Sequence, residues 1–179
     1  MRTQTRIALQ IALLTIASLR LAADQRAAVA DFNGDGHPDL VIRNVSDLSS
    51  RPTAIWYLNN NVHVSGAYGP TLRVGWDLRG VADFNGDGHP DYALFNSVTG
   101  QTIIRYLSGT TVIGAAFGPT LPQGWPLVAV ADFDGDGHPD FLVYNSNSRQ
   151  TAIGYLNNNV LVNAAFGPAL PAGWSLLGP

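Results

Sequence analysis

Three short acidic segments hold most of the negative charge of this chain, and they contain its candidate functional residues. The first two, at residues 31–39 and 83–91, read Asp-Phe-Asn-Gly-Asp-Gly-His-Pro-Asp, and the third, at residues 132–140, has Asp in place of Asn. Ten of the 13 acidic residues of the chain lie in these three acidic loops. Two carboxylates about 5 Å apart repel by roughly 1 kcal/mol in water, and by several times that in a less polar setting. The clusters therefore predict a bound cation.

The donor types in the acidic loops favour calcium. All of them are hard oxygen ligands, which select Ca²⁺ or Mg²⁺ over zinc and copper. Positions 1, 3 and 5 offer side chains, Gly at position 6 permits a sharp turn, and a backbone carbonyl at position 7 and Asp at position 9 can close the shell. This set leaves room for water, which suits the flexible coordination of Ca²⁺ better than the strict octahedron of Mg²⁺. The predicted ligands, for about three Ca²⁺ ions per chain, are Asp31, Asn33, Asp35, His37 and Asp39; Asp83, Asn85, Asp87, His89 and Asp91; and Asp132, Asp134, Asp136, His138 and Asp140.

Other interpretations of the loops fit less well. An EF-hand would place Glu at position 12, where this chain has Ile42, Leu94 and Val143. The three histidines could bind a transition metal or act as general bases. However, whole repeats separate them, each precedes Pro, and the backbone of each already has a role. Asp, Asn and Gly also form turns without metal, but three nearly identical copies argue against that alternative.

The acidic loops belong to a longer internal repeat. A step of 49 residues relates Trp76 to Trp125 and Trp125 to Trp174, and the same step relates sets of Tyr and Pro residues. The first copy is longer, because Asp31 and Asp83 are 52 residues apart. The expected repeats are about residues 24–72, 73–121 and 122–170, with an extra C-terminal strand at residues 171–179.

Each repeat contains four short apolar segments joined by Gly and Asn turns, which predicts four antiparallel strands. In the third segment, alternate residues share one face, and the pairs on that face are Ile55 and Tyr57, Ile104 and Tyr106, and Ile153 and Tyr155. The second segment is apolar on both faces, as expected where sheets stack against neighbouring sheets. A four-stranded unit of this length is the size of a propeller blade. We therefore predict an all-β fold of tandem four-stranded antiparallel blades, forming a partial or oligomer-completed β-propeller.

The loop motif followed by an apolar strand resembles the FG-GAP/VCBS repeats of propellers like those of integrin α-subunits. The resemblance covers about residues 24–179. It implies blades of a β-propeller that hold Ca²⁺ at positions 1, 3, 5, 7 and 9 of each loop, with the main-chain oxygen used at position 7. It also implies an extracellular adhesive or ligand-binding role.

Residues 1–23 have features of an export signal. Arg2 precedes an apolar run from Ile7 to Leu19, and cleavage could follow Ala23. The run is too short to span a bilayer. Arg20 fits an export signal less well, and an N-terminal amphipathic or buried helix is the alternative. We expect a secreted chain without a membrane span in its mature form.

The two ends of the repeat array differ. Residues 173–178 copy the segment that precedes an acidic loop, whereas residues 23–28 before the first loop lack that pattern. Unpaired edges and uncovered sheet faces favour joining to another chain. We expect a homo-oligomer or polymer joined head to tail, which makes a ring if the rotation closes and a filament or tube if it does not. A fragment of a longer propeller is the alternative.

Composition argues against two further classes of function, nucleic acid binding and catalysis. The ten basic residues, all Arg, are scattered, which argues against nucleic acid as a partner. With no Cys, no Glu and no Ser-His-Asp set outside the loops, an enzyme is not expected. The expected role is structural or adhesive. A lectin-like module that binds an extracellular glycan or protein through Trp56 or Trp174 is the alternative, although the repeated Trp residues are expected to be first-strand core residues.

Overall fold

The chain is described here by a computed structural model covering residues 28–176, which contains strands and no helix. The expected export signal at residues 1–23 and the last three residues lie outside the described range. Nowhere in this range is there a helix with the length and apolarity to cross a membrane. The strands are β1 (Ala28–Ala30), β2 (Asp39–Arg43), β3 (Thr53–Asn59), β4 (Val62–Tyr68), β5 (Asp77–Ala82), β6 (Asp91–Phe95), β7 (Thr102–Ser108), β8 (Thr111–Phe117), β9 (Leu127–Ala131), β10 (Asp140–Asn145), β11 (Gln150–Asn157) and β12 (Val160–Ala169).

The strands form three four-stranded sheets, each an antiparallel meander of consecutive strands. The first sheet contains β1 to β4, the second β5 to β8 and the third β9 to β12. The register repeats as well: Ile55 pairs with Val41, and Ile104 pairs with Ala93 at the corresponding place in the second sheet. The prediction of an all-β chain of tandem four-stranded antiparallel blades is confirmed.

The sheets stack face to face, with their first strands side by side. Strand β1 contacts β5, and β5 contacts β9. All five residues of β6 are buried, because this strand packs on both sides. Its residues Tyr92 and Leu94 join the core shared with the first sheet, whereas Ala93 and Phe95 join the core shared with the third. Stacking on both faces thus explains the continuous apolar run of the second strand in the middle repeat.

A hydrogen bond between the beginning of the third strand and the Gly-Pro pair at the end of the repeat recurs in each sheet. It explains the glycine of that pair. The Thr53 hydroxyl donates to the Pro70 carbonyl at 2.8 Å, and the same bond recurs from Thr102 and from Thr151. A Cβ at Gly69 would lie 2.6 Å from the Thr53 hydroxyl oxygen. Glycine is needed there because the backbone passes directly over this buried threonine.

The repeated tryptophans are not first-strand residues, contrary to expectation. Each lies in a turn before the place of a first strand, where its N–H donates to a carbonyl three residues earlier. Trp76 and Trp125 are half-buried, but Trp174 is 71% exposed. Of the extra strand expected at residues 171–179, residues 171–174 form this same turn, and residues 175 and 176 are not in a strand. The apolar pattern alone could not separate a turn residue from the strand that follows it.

Candidate metal centres

Each acidic loop connects the first strand of a sheet to the second. The loop begins just after β1, β5 or β9, and its last Asp is the first residue of β2, β6 or β10. Because the first strands lie side by side, the loops occur at equivalent places along the stack. The glycine at position 6 has a positive φ in every loop, 85° at Gly36, 86° at Gly88 and 89° at Gly137. Residues with a Cβ rarely adopt this conformation, so glycine permits the tight reversal there.

The Asp at position 1 organises the loop around its carboxylate. In the second loop, Asp83 accepts the N–H of Gly86 at 2.7 Å on one oxygen and that of Gly88 at 2.7 Å on the other. Asp31 and Asp132 accept the equivalent two bonds in their loops. The loop is therefore wrapped around one carboxylate by its own backbone.

Positions 3 and 5 distinguish the third loop from the first two. In the third loop, carboxylate oxygens of Asp132, Asp134 and Asp136 all lie within 4.8 Å of one another, and all three residues are exposed. In the second loop, the amide nitrogen of Asn85 instead donates to Asp87 at 2.9 Å, and Asn33 makes the same bond in the first. The amide hydrogen thus neutralises part of the repulsion that the third loop leaves uncompensated.

Hydrogen bonds favour the ionised form of the position-5 carboxylates in the first two loops. The backbone N–H of His37 and the amide of Asn33 lower the pKa of Asp35 below its usual value. The amide of Asn85 and the backbone N–H of His89 lower the pKa of Asp87 in the same way. Both carboxylates are negative at neutral pH and available to a cation.

The Asp at position 9 has a different environment from its neighbours. Asp39, Asp91 and Asp140 are 0%, 0% and 1% exposed. In the second loop, one oxygen of Asp91 accepts the N–H of Phe84 at 3.0 Å and the other accepts the N–H of Leu107 at 2.9 Å. The other two loops have the same pair of bonds at 2.9–3.0 Å. This carboxylate therefore ties the loop to the third strand of its sheet.

The bond to the third strand depends on a bulge. The register between the third and fourth strands shifts immediately before Leu58, Leu107 and Leu156, the residues whose N–H groups the position-9 Asp accepts. A bulge leaves backbone groups outside the regular ladder, so they need another partner. The sequence analysis predicted Asp39, Asp91 and Asp140 as metal ligands but did not predict this structural role. The signal available was the leucine that recurs at this place in every repeat.

Burial and nearby negative charge both raise the pKa of Asp91. Burial raises its pKa to about 6, against the two backbone N–H groups that lower it, and the charges of Asp87 and Asp83 raise it further. A cation held by the exposed carboxylates would remove that last contribution, because opposite charge favours the ionised form.

The histidine at position 7 contributes its backbone to the loop. The N–H of His37 donates to Asp35 at 2.9 Å, and His89 and His138 donate to Asp87 and Asp136 at 2.9 and 2.8 Å. No His-containing cluster able to hold a metal is found within residues 28–176.

The residues present fit a hard divalent cation. The third loop brings three carboxylates together, and the donor set in every loop consists of oxygens, which calcium prefers. In the first two loops, the Asn side chain would have to turn its oxygen, rather than its amide nitrogen, toward an ion. Within residues 28–176, the structure brings three carboxylates close enough to hold a metal only in the third loop. The ligand roles expected for all three loops, including position 9, stay predictions.

The comparisons agree with the fold and the loops. A family model described as an FG-GAP-like repeat matches residues 31–94 and again residues 83–143, each match beginning at position 1 of an acidic loop. A search of curated proteins found no match. The two family matches together span more than half of the 179 residues. The resemblance read from the loops is confirmed, and the chain belongs to the FG-GAP-like repeat family.

Proposed function

We propose that this chain is a calcium-stabilised repeat module that acts outside the cell in a structural or adhesive role and associates with copies of itself. Its role is binding, and no catalysis is proposed. The observation that carries the proposal is the third loop, where three exposed carboxylates lie within 4.8 Å of one another with no basic partner among the described residues. Such a cluster is electrostatically unfavourable until a cation joins it.

Calcium would stabilise the fold by binding the folded loops better than the unfolded chain. A ligand at 100 times its dissociation constant adds about 2.7 kcal/mol per site to the free energy of unfolding. Because each loop joins the first two strands of a sheet, a bound ion would hold those strands together. Calcium modules that act outside cells bind at about 10⁻⁴–10⁻³ M, and we expect the loops to bind in that range.

The test is a calcium titration of the purified chain with thermal melts in EDTA and in calcium. We expect about three ions per chain, one for each loop, and a melting temperature that rises with calcium concentration. Magnesium at the same concentration is the control, and it should raise the melting temperature less. Melting curves that coincide in EDTA and in millimolar calcium would contradict the proposal.

The extracellular location has its own test. In the native host, the protein should be recovered outside the cytoplasm, and its first residue should follow a cut near residue 23. Cell fractionation with N-terminal sequencing measures both. Recovery of the intact chain in the cytoplasm only would remove this part of the proposal.

A lectin-like function is the second candidate, supported by one observation. On the outer face of the first sheet, Trp56 is 44% exposed and lies 4.9 Å from His63, ring centroid to ring centroid. These rings and Tyr68 line an open hollow of about 500 Å³. Aromatic faces of this kind can receive the apolar face of a sugar. Glycan-array binding that is lost in Trp56→Ala would favour this function, whereas no binding would remove it.

A further inference from the structure

Two sheet faces have no covering sheet among residues 28–176. We call the side of each sheet that points toward the next sheet in the chain its forward face, and the opposite side its rear face. The rear faces of the second and third sheets cover the forward faces of the first and second. The forward face of the third sheet, with Leu142, Ile153 and Tyr155, and the rear face of the first, with Leu40, Ile42, Ala54 and Trp56, are left uncovered.

The phenylalanine at position 2 of each loop shows what the uncovered forward face lacks. Phe32 and Phe84 are 2% and 1% exposed, whereas Phe133 is 43% exposed. Phe32 packs edge-on against Tyr92 at 6.2 Å, and Phe84 packs against Phe141 at 6.0 Å. In each pair, the second ring belongs to the rear face of the following sheet. Phe133 has the same side chain in the same loop, but within residues 28–176 no following sheet supplies a partner.

The residue that corresponds to Tyr92 and Phe141 in the first sheet is Leu40, by the repeat spacing. It is apolar and only half-buried. The rear face of a first sheet could therefore offer Leu40 to Phe133, as the later sheets offer Tyr92 and Phe141.

Two polar contacts make the junction between the second and third sheets specific. The Tyr106 hydroxyl donates to the side-chain oxygen of Asn158, and the side-chain amide of Asn159 donates to the Phe117 carbonyl at 2.8 Å. Both asparagines lie in the turn between β11 and β12. They connect this turn to the forward side of the preceding sheet.

The first sheet has the same turn, and the second does not. Residues 59–61 read Asn-Asn-Asn, as do residues 157–159, whereas residues 108–110 read Ser-Gly-Thr. Asn60 and Asn158 also share a left-handed conformation, with φ of 55° and 58°. Asn60 and Asn61 are exposed and contact no other sheet within the described range. The first sheet thus carries the docking residues of the third, and the part of the chain that the structure describes contains no sheet for them to dock on.

The complementary group is present on the third sheet. Tyr155 corresponds to Tyr106, and its hydroxyl has no hydrogen-bond partner within the part of the chain that the structure describes. The Phe166 carbonyl corresponds to that of Phe117. Both halves of the second polar junction are therefore available, one at each end of the stack.

We infer that a second copy of this chain docks the rear face of its first sheet on the forward face of the third sheet, in the register of the internal junction. Tyr155 then donates to Asn60 of the second copy, Asn61 of that copy donates to the Phe166 carbonyl, and its Leu40 covers Phe133. The inference specifies the surfaces for the self-association in the proposed function and rests on that proposal.

A cysteine crosslink tests the register, because the chain has no cysteine of its own. Tyr155→Cys and Asn60→Cys are prepared separately, mixed in calcium and treated with a short bis-maleimide. We expect crosslinked dimers in the mixture and none in either variant alone. The calibration is Tyr106→Cys/Asn158→Cys, which places the same pair within one chain and should crosslink internally.

A matched variant tests the same surfaces without cysteine chemistry. Asn60→Gly/Asn61→Thr gives the first sheet the Gly109-Thr110 sequence of the second, and Gly109 has the same left-handed φ of 59°. The variant should keep its monomer fold, with circular dichroism unchanged. Its self-association by analytical ultracentrifugation should weaken roughly fivefold or more, since two hydrogen bonds are lost.

Each result has a defined meaning. Dimers in the mixture together with weakened association of the Asn60→Gly/Asn61→Thr variant support the inference. A crosslink within either single variant, or a chain that stays monomeric at micromolar concentration in calcium, overturns it. Monomers would mean that other residues, such as 1–27, or another protein cover these faces. Association that the variant leaves unchanged keeps self-association but assigns it to another surface, and calcium binding is judged by its own titration.

Discussion

Within one acidic loop, aspartates a few residues apart have opposite environments. Asp87 in the middle of the second loop is exposed, and the hydrogen bonds of Asn85 and His89 lower its pKa. Asp91 at the end is fully buried, and it accepts backbone N–H groups from the loop and from β7. The motif therefore combines exposed carboxylates that could bind a cation with a buried carboxylate that connects the loop to a strand of the blade.

One nine-residue motif therefore supplies a buried carboxylate that stabilises the fold and exposed carboxylates that could bind a cation. The buried carboxylate connects strands whether or not metal is present, because its partners are backbone N–H groups. The exposed carboxylates repel one another and gain from a cation. The following changes separate the two roles.

The largest effect should come from Asp91→Ala. The substitution leaves the N–H groups of Phe84 and Leu107 without an acceptor in a buried place. Each unsatisfied buried group costs about 1–3 kcal/mol, so the free energy of unfolding should fall by about 2–5 kcal/mol. Urea unfolding in EDTA measures this. A loss that occurs only in calcium would show that Asp91 acts through the metal rather than through the backbone.

Asp87→Ala should reduce calcium binding without lowering the stability of the chain in EDTA. We expect the calcium stoichiometry to fall by one ion, because position 5 supplies a charged ligand. Calorimetric titration measures the stoichiometry. The melting temperature in EDTA should match that of the parent chain, since Asp87 is exposed and bonds only within its own loop. A large destabilisation in EDTA would mean that the two parts of the loop are not separable.

Asp134→Asn gives a smaller and finer comparison, because it converts the third loop to the sequence of the first two. The loss of one negative charge should weaken calcium binding at that loop on the order of tenfold, since ligand charge tunes affinity. The reverse change, Asn85→Asp, should strengthen the second loop by a similar factor. Calcium titration of both variants checks this. Equal affinities in the parent and both variants would show that position 3 does not contact the ion.

Much of the site was predictable from the residues, because the loop is local in sequence. The glycine turn and the family both follow from nine consecutive residues and their repetition, whereas the ligand roles of the loop residues stay a prediction. The buried aspartates at position 9 connect each loop to the third strand of its sheet, and this role was not predictable from the sequence. The leucine N–H that each of them accepts lies 16 to 19 residues away, at a bulge. A bulge arises from pairing between strands, and residue type alone does not place it.

The sequence also could not show which side chains lie on uncovered sheet faces. The residues of the third repeat match those of the second, so Phe84 and Phe133 look equivalent in the sequence. Their exposures, 1% and 43%, differ because a following sheet covers only the first. Burial depends on what lies opposite a side chain, not on the side chain itself.

The repeat, the strands and the acidic loops could be predicted from the residues alone, because alternation, turn residues and clustered charge act over a few neighbouring positions. The stacking of the sheets sets which aspartates are buried, where the tryptophans lie and which sheet faces are open within residues 28–176. These properties depend on contacts between strands and sheets that are distant in the chain, so they exist only once the sheets are stacked.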